Sequence, residues 1–206
     1  MRKTSLPLAF DDFNDSLQTY AGFAGKIASS QRVIRYKWEK TELLEAFALR
    51  LVTLWEVFVE DVVVACLNRD TSKYAEFRGL VLRKHLSADE CRAMLTGLGY
   101  FDCRSVGEIQ RIARQVLVFN PFAVIPKAES RKIDELMIMR NYLAHYSGKA
   151  KRTLNNVYKN TYHMQRFREP GNFLWANTRR GGQMRFYVYL DALHDAASAM
   201  RVFLGI

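Results

Sequence analysis

The chain has 206 residues, 49% of them hydrophobic, and its 31 basic and 21 acidic side chains give a formal net charge of +10. This length fits one domain, residues 1–206, in which about 70% of the unfolded surface can be buried. No apolar run approaches the ~20 residues that cross a bilayer, and Asp11 and Asp12 interrupt the first segment before a signal-peptide core develops. We therefore expect a soluble, cytoplasmic protein with no membrane partner.

The cysteines exclude the common zinc and redox motifs. Cys66, Cys91 and Cys103 show no Cys-x-x-Cys spacing, and the four histidines are scattered along the chain. The sequence therefore predicts buried, reduced thiols, no metal site and no cofactor.

Apolar residues recur at helical spacing from the start of the chain, which predicts an all-α fold. A first helix is predicted over residues 10–31, after acids that suit a helix N-terminus. The longest periodic segment, residues 40–68, is predicted as the central core helix. Its stretch Val59–Val64 is rich in β-branched residues, but the surrounding 3.6-residue period favours a helix over a strand.

Local signals divide the rest of the chain. Ser87 with Glu90, and Ser105 with Glu108, are capping boxes that predict two short helices, separated by a turn at residues 97–101 with inward-facing aromatics. Two prolines then break the periodicity, so the next helix is predicted to start near Ser130 and to end at Gly148. Residues 149–186 are predicted to be irregular, with a short hairpin between residues 173 and 188, before a last helix over residues 188–204.

The predicted helix before Gly148 contains Arg140, Asn141 and His145 in the pattern Arg-Asn-x-x-x-His. This pattern resembles the signature of the HEPN superfamily, small helical domains that cut RNA. Arg78 and His85 have a looser version of this spacing, with six residues between them. Gly79 stands there in place of the polar residue that follows the arginine in the motif, so we do not treat this pair as a site.

Further segments resemble the RiboL-PSP branch of the HEPN proteins and extend the likeness over most of the chain. They support the fold more than the activity, and they are residues 54–61, 94–102, 120–122 and 170–174. The resemblance implies a HEPN-like helical bundle that forms a homodimer, with a composite site at the interface. An ideal helix places Arg140 and His145 about 140° apart, so one helix cannot easily aim both at one phosphate, and a symmetry-related copy would bring in a second set.

The motif suits cleavage of RNA without a metal ion. Histidine exchanges protons near neutral pH, so His145 can take the proton of the ribose 2′-OH or give one to the leaving 5′-oxygen. Arg140 can hold two phosphate oxygens, and Asn141 can orient the imidazole or bind the phosphate. The expected products carry 2′,3′-cyclic phosphate and 5′-OH ends. The plainer alternatives are that His145 caps the helix and that Arg140 and Asn141 lie on the surface or bind Asp134 or Glu135.

The charge is concentrated after the motif. Residues 148–185 contain nine basic side chains and one acid, Glu169, a net charge of +8. Clustered basic residues attract phosphate backbones, and interleaved aromatics can stack on unpaired bases. The alternative is a solvated basic face whose aromatics point into the core. The residues predicted to contact RNA are Tyr146, Lys149, Lys151, Arg152 and Lys159; the aromatics in question are Tyr158, Tyr162, Phe167 and Trp175.

Three acidic residues on the predicted central helix are further candidates for the site around the histidine. Glu56, Glu60 and Asp61 can line the cleft and steer the histidine, or they can form a solvated face.

The leading hypothesis is an endoribonuclease that acts as a toxin or antiphage effector and is held inactive by a neutralising protein. A non-catalytic HEPN module that dimerises or binds RNA is the alternative, and a DNA-binding regulator is disfavoured because no helix-turn-helix pattern is present.

Overall fold

A computed structural model describes residues 5–29, 36–97, 104–178 and 181–206. These ranges form an all-α fold and contain no β-strand, so the predicted fold class is confirmed. The helices are α1 (Leu6–Ser29), α2 (Lys37–Arg69), α3 (Ser72–Arg78), α4 (Ala88–Gly97), α5 (Val106–Val116), a 3₁₀ turn (Pro121–Val124), α6 (Lys127–His145), α7 (Gly148–Tyr162), α8 (Pro170–Trp175) and α9 (Arg185–Leu204).

The central helix is α2, which packs against α1, α4, α6, α8 and α9. Its first half buries one stripe, whereas Val62–Asn68 is buried on every side, which explains why the valines at 62–64 are not interrupted by a polar residue. The helical interpretation of Val59–Val64 is therefore confirmed. No helix in the described ranges is long and apolar enough to span a membrane.

Helix α1 begins four residues earlier than predicted. Leu6 and Phe10 are fully buried, and Pro7 is tolerated in a first turn because amides there have no partner within the helix. Burial of these two side chains extends the helix toward the N-terminus. The predicted residues 30 and 31 lie outside the described part of the chain.

Both predicted serine N-caps are confirmed, and the reciprocal carboxylate bond of a capping box is present at Ser87. The Ser87 hydroxyl accepts a hydrogen bond from the Glu90 amide at 3.2 Å, and the Glu90 carboxylate accepts one from the Ser87 amide at 2.7 Å. Ser105 Oγ likewise accepts from the Glu108 amide at 3.1 Å. The predicted turn after Gly97, including Tyr100 and Phe101, and the predicted thiol of Cys103 lie outside the described residues; Cys66 and Cys91 are free and buried, as expected.

The prediction that Gly148 ends the motif helix is wrong. Helix α6 ends at His145, and the next residue, Tyr146, adopts a left-handed conformation with φ 45° and donates its amide hydrogen to the Tyr142 carbonyl at 2.7 Å. Gly148 is instead the first residue of α7, where Ser147 Oγ caps the Ala150 amide at 3.2 Å. Two residues thus join α6 to α7. Helix α6 itself starts at Lys127, just after Pro126 and three residues before the prediction.

The prediction of an irregular stretch over residues 149–186 is also wrong. Helix α7 occupies its first third and α8 lies further on. Ala150, Leu154 and Tyr158 recur at four-residue intervals and are buried, so packing stabilises α7 although its surface is polar. The predicted hairpin is reduced to one isolated antiparallel bridge between Asn177 and Met184, and α9 begins at Arg185.

A buried polar cluster ties the motif helix to its neighbours. Glu135 on α6 accepts hydrogen bonds from Lys132 at 2.9 Å, Tyr162 at 2.5 Å and Tyr189 at 3.0 Å. Burial opposes the charged form of Lys132, but its hydrogen bond to Tyr162 and the charge of Glu135 outweigh burial and raise the pKa of Lys132. These contacts fix α6 against α7 and α9.

Candidate active site

The motif lies at the C-terminal end of α6. The opposite side of this helix is packed into the core by Ile133, Leu136 and Met139. Asn141 and His145 are four residues apart, so they share a helix face, and both are exposed. Core packing on one side therefore presents the polar pair on the other.

Arg140, Asn141 and His145 line the same cleft, whose volume is about 470 Å³. On an ideal helix Arg140 and His145 point about 140° apart, so they would not easily be directed to one place. The cleft of one chain nevertheless contains both, because a cleft wall spans a wide sector of the helix and the arginine side chain is long. The lining comprises Val52, Glu56, Arg104, Met137, Ile138, Arg140, Asn141, His145 and Thr153.

The guanidinium of Arg140 faces an acid from the central helix. Its Nη2 lies 3.7 Å from Glu56 Oε1, and both side chains are partly exposed. Solvent screens this ion pair, so it holds the arginine only weakly. The alternative partners from the sequence are engaged elsewhere: Asp134 accepts a hydrogen bond from the Val106 amide at 2.7 Å, and Glu135 belongs to the buried cluster.

The other acids of the central helix do not line this cleft. Arg92 binds Asp61 at 3.0 Å and approaches Glu60 at 3.9 Å. Only Glu56 of the three candidate acids thus reaches the motif. At this site the described residues include no group of three metal-binding side chains, and the same holds elsewhere in the described ranges.

Sequence reasoning missed two polar residues of the cleft. Arg104 precedes the cap of α5, and Thr153 lies on α7, within the stretch predicted to be irregular. Neither is part of a recognisable motif, because each reaches the cleft only through the packing of distant segments. Arg104 adds a second guanidinium beside Arg140, which makes the cleft more suitable for an anionic group.

Tyr146 marks the corner between α6 and α7. Its side chain is 64% exposed, and its ring packs on Tyr142 with 5.3 Å between ring centroids. The Tyr146 ring, predicted from the sequence to contact RNA, is therefore accessible at the surface and not part of the core. The Tyr142 hydroxyl in turn donates a hydrogen bond to Glu169 at 2.8 Å, and burial together with this carboxylate raises the pKa of Tyr142.

Three of the four predicted basic RNA contacts lie on one exposed face of α7. Lys149, Arg152 and Lys159 fall within about 80° around the helix axis, and Thr153, which lines the cleft, borders the same face. Helix α7 contains no acidic residue. Lys151 lies outside this group, 3.8 Å from Glu169 and 4.5 Å from the centre of the Phe167 ring.

The interleaved aromatics divide between core and surface. Tyr158 is fully buried and stacks on Phe173 at 4.4 Å, and burial raises the pKa of its hydroxyl. Tyr162 is partly buried within the polar cluster around Glu135. Phe167 and Trp175 are also partly buried, and both line a second cavity. Of these aromatics, Tyr158 therefore points into the core, as the alternative to base stacking predicts.

Comparisons of the chain with protein-family models, with curated protein sequences and with solved structures find no match.

Proposed function

We propose that the protein is a metal-independent endoribonuclease of the HEPN type. The observation that carries the proposal is the cleft in which Arg140, Asn141 and His145 are gathered beside an acid-free basic helix. An imidazole, guanidinium groups and an amide are the groups needed for proton transfer and for stabilising charge on a phosphate. The adjoining α7 face supplies a path for the phosphate backbone.

In the proposed reaction, an imidazole removes the proton from the ribose 2′-OH, and the 2′-oxygen attacks the adjacent phosphorus. Arg140 stabilises the charge on the pentacoordinate phosphate, and Asn141 orients either His145 or the phosphate. The bond to the 5′-oxygen then breaks, and that oxygen receives a proton. The products are a 2′,3′-cyclic phosphate and a 5′-OH end.

The two proton transfers favour a homodimer. Among the described residues that line the cleft, His145 is the single imidazole, whereas the reaction needs both a base and an acid. Two copies that face each other across a two-fold axis would provide two imidazoles and two Arg140 side chains around one linkage. The proposal therefore includes a composite site between two subunits.

The proposed biological role is that of a toxin or antiphage effector. A chain that cuts RNA without needing a cofactor would act continuously in a cell, so its activity requires control by a second protein that neutralises it. Tyr146 and the basic face of α7 would be covered by such a protein if it works by blocking RNA access.

The test is incubation of the purified protein with tRNA and messenger RNA in EDTA, followed by analysis of the product ends. We expect metal-independent cuts with cyclic phosphate ends and a loss of cleavage of at least about 100-fold in His145→Ala, because general acid–base catalysis contributes at least that factor. RNA binding without cleavage, unaffected by His145→Ala, would instead support the non-catalytic module.

RNA contact by α7 is tested with matched charge variants. In the double variant Lys149→Gln, Arg152→Gln, the slope of log Kobs for RNA binding against log salt concentration should become less steep by about 1.4. Each phosphate contact on a single strand contributes about 0.7 to this slope. Lys127→Gln combined with Arg131→Gln removes the same charges from exposed positions at the other end of α6. An equal effect of both pairs would show nonspecific attraction and contradict the assignment.

A further inference from the structure

A second cavity, of about 690 Å³, lies where the start of α2 meets the segment that leads into and out of α8. Its size is within the range of pockets that hold small organic ligands. The lining residues that matter for recognition are Lys37, Phe167, Arg168, Asn172, Trp175 and Asn177. None of these residues belongs to the Arg140–His145 motif.

The lining combines three kinds of group. Trp175 offers an indole, and Lys40 lies over this ring with Nζ 5.2 Å from its centre. Lys37 and Arg168 are exposed cations, which attract phosphate oxygens. The side-chain amides of Asn172 and Asn177 can both donate and accept hydrogen bonds, as the edge of a base requires. A nucleotide presents the complementary groups: a flat base, a polar base edge and an anionic phosphate.

The wall that carries Trp175 is firmly held. The Gly171 amide donates a hydrogen bond to Glu45 Oε1 at 2.7 Å, and α8 lies so close to α2 that a Cβ atom on Gly171 would be 2.3 Å from the Thr41 carbonyl oxygen. Phe173 and Leu174 anchor the helix in the core. The cavity is therefore preformed, which lowers the entropy cost of binding.

The cavity is connected to the end of the motif helix. Glu169, which also lines it, accepts the hydrogen bond of Tyr142, and the Tyr142 ring packs on Tyr146, the residue after His145. The Glu169 carboxylate is the acid of this lining, and Lys151 lies 3.8 Å from it, which offsets its charge. This series of contacts links the exposed Tyr146 ring, next to His145, to the lining of the cavity.

We propose that this cavity binds one unpaired nucleotide of a single-stranded RNA, with the base stacked on Trp175 and the phosphate between Lys37 and Arg168. The identity of the strand as substrate rests on the proposed ribonuclease function. The cavity then sets which strands are cut, because a base held in a duplex cannot enter it.

The experiment measures binding without cleavage. A fluorescein-labelled 2′-O-methyl RNA hexamer lacks the attacking hydroxyl, and its affinity is measured by fluorescence anisotropy. Trp175→Leu should weaken binding at least about fivefold, since stacking of a base on an aromatic side chain contributes that much or more. Arg168→Gln should lower the salt slope by about 0.7. Trp38→Leu and Arg131→Gln are matched controls at exposed positions outside the cavity lining and should leave binding within about twofold.

The outcomes separate the alternatives. Unchanged hexamer affinity in both cavity variants overturns the proposal; if Trp175→Leu does not fold, the surface variant Arg168→Gln decides alone. Adenosine 5′-monophosphate is titrated in parallel: binding of this nucleotide that depends on Trp175, with unchanged hexamer affinity, would assign the cavity to a free nucleotide and overturn the role for a strand. If the protein cuts no RNA but its affinity for the hexamer depends on Trp175, the ribonuclease proposal is refuted and the cavity assignment is kept. If the protein cuts RNA but the cavity variants bind the hexamer normally, the ribonuclease proposal is kept and the cavity assignment is refuted.

Discussion

The packing of α8 on α2 leads to a sharp stability prediction at Gly171. In Gly171→Ala the new Cβ would lie 2.3 Å from the Thr41 carbonyl oxygen, 2.7 Å from its carbonyl carbon and 2.8 Å from its Cβ. Two of these three atoms belong to the backbone of a packed helix, so rotation of a side chain cannot relieve the contact. Helix α8 must therefore move away by about 1 Å to restore ordinary van der Waals distances.

This displacement has two costs. It stretches the 2.7 Å hydrogen bond from the Gly171 amide to Glu45, and hydrogen bonds to charged groups contribute about 1.5–3 kcal/mol. It also disturbs the packing of Phe173 and Leu174, and overpacking of a core costs about 1–3 kcal/mol. We expect a loss of about 3–5 kcal/mol in the free energy of unfolding, which lowers Tm by roughly 6–20 °C.

Thermal and urea unfolding, followed by far-UV circular dichroism at pH 7, measures the effect. Gly22→Ala is the matched control, because a Cβ there meets no atom within 4 Å and the helix α1 should gain up to about 1 kcal/mol. A change of less than about 0.5 kcal/mol in Gly171→Ala would refute the close approach of α8 to α2, and with it the preformed wall of the second cavity.

Three further predictions concern the corner, the pH dependence and the cleft. Gly148→Ala should raise the free energy of unfolding, measured in urea, by about 0.4–1 kcal/mol, because Gly148 begins α7 and its Cβ would be 3.7 Å from the nearest atom. A marked decrease in the free energy of unfolding would instead indicate that Gly148 has a left-handed conformation at the end of α6. Burial raises the pKa of Glu45 above 4.5 despite its backbone hydrogen bond, so the folded state binds the carboxyl proton of Glu45 more tightly than the unfolded state does. The free energy of unfolding of the native protein, relative to that of Glu45→Gln, should therefore fall as pH rises above about 4.5. A rise over this range would contradict the raised pKa. Glu56→Gln removes a negative charge 3.7 Å from Arg140 and should tighten binding of the 2′-O-methyl hexamer about two- to fivefold, with weaker binding as the contrary result.

Failures of the sequence interpretation have a common physical origin. Helix α7 was missed because its asparagines and threonines have low helix propensity and because Ser147 caps the helix without a glutamate three residues later. Its stability comes from three buried side chains, Ala150, Leu154 and Tyr158, and from packing on other helices, such as the stacking of Tyr158 on Phe173 of α8. Gly148 is misassigned because the left-handed residue that follows α6 is a tyrosine, Tyr146, and tyrosine rarely adopts positive φ.

Local patterns in the sequence were sufficient for the all-α class, the central helix and the caps at Ser87 and Ser105, because periodicity and capping depend on residues only three or four positions apart. They also placed Asn141 and His145 on one helix face. The tertiary structure alone decided that Glu56 and Thr153 join them in the cleft, and that Trp175 lines a second cavity beyond Tyr146. These groups come from helices far apart in the chain, and their meeting depends on how buried faces pack, which no local pattern encodes.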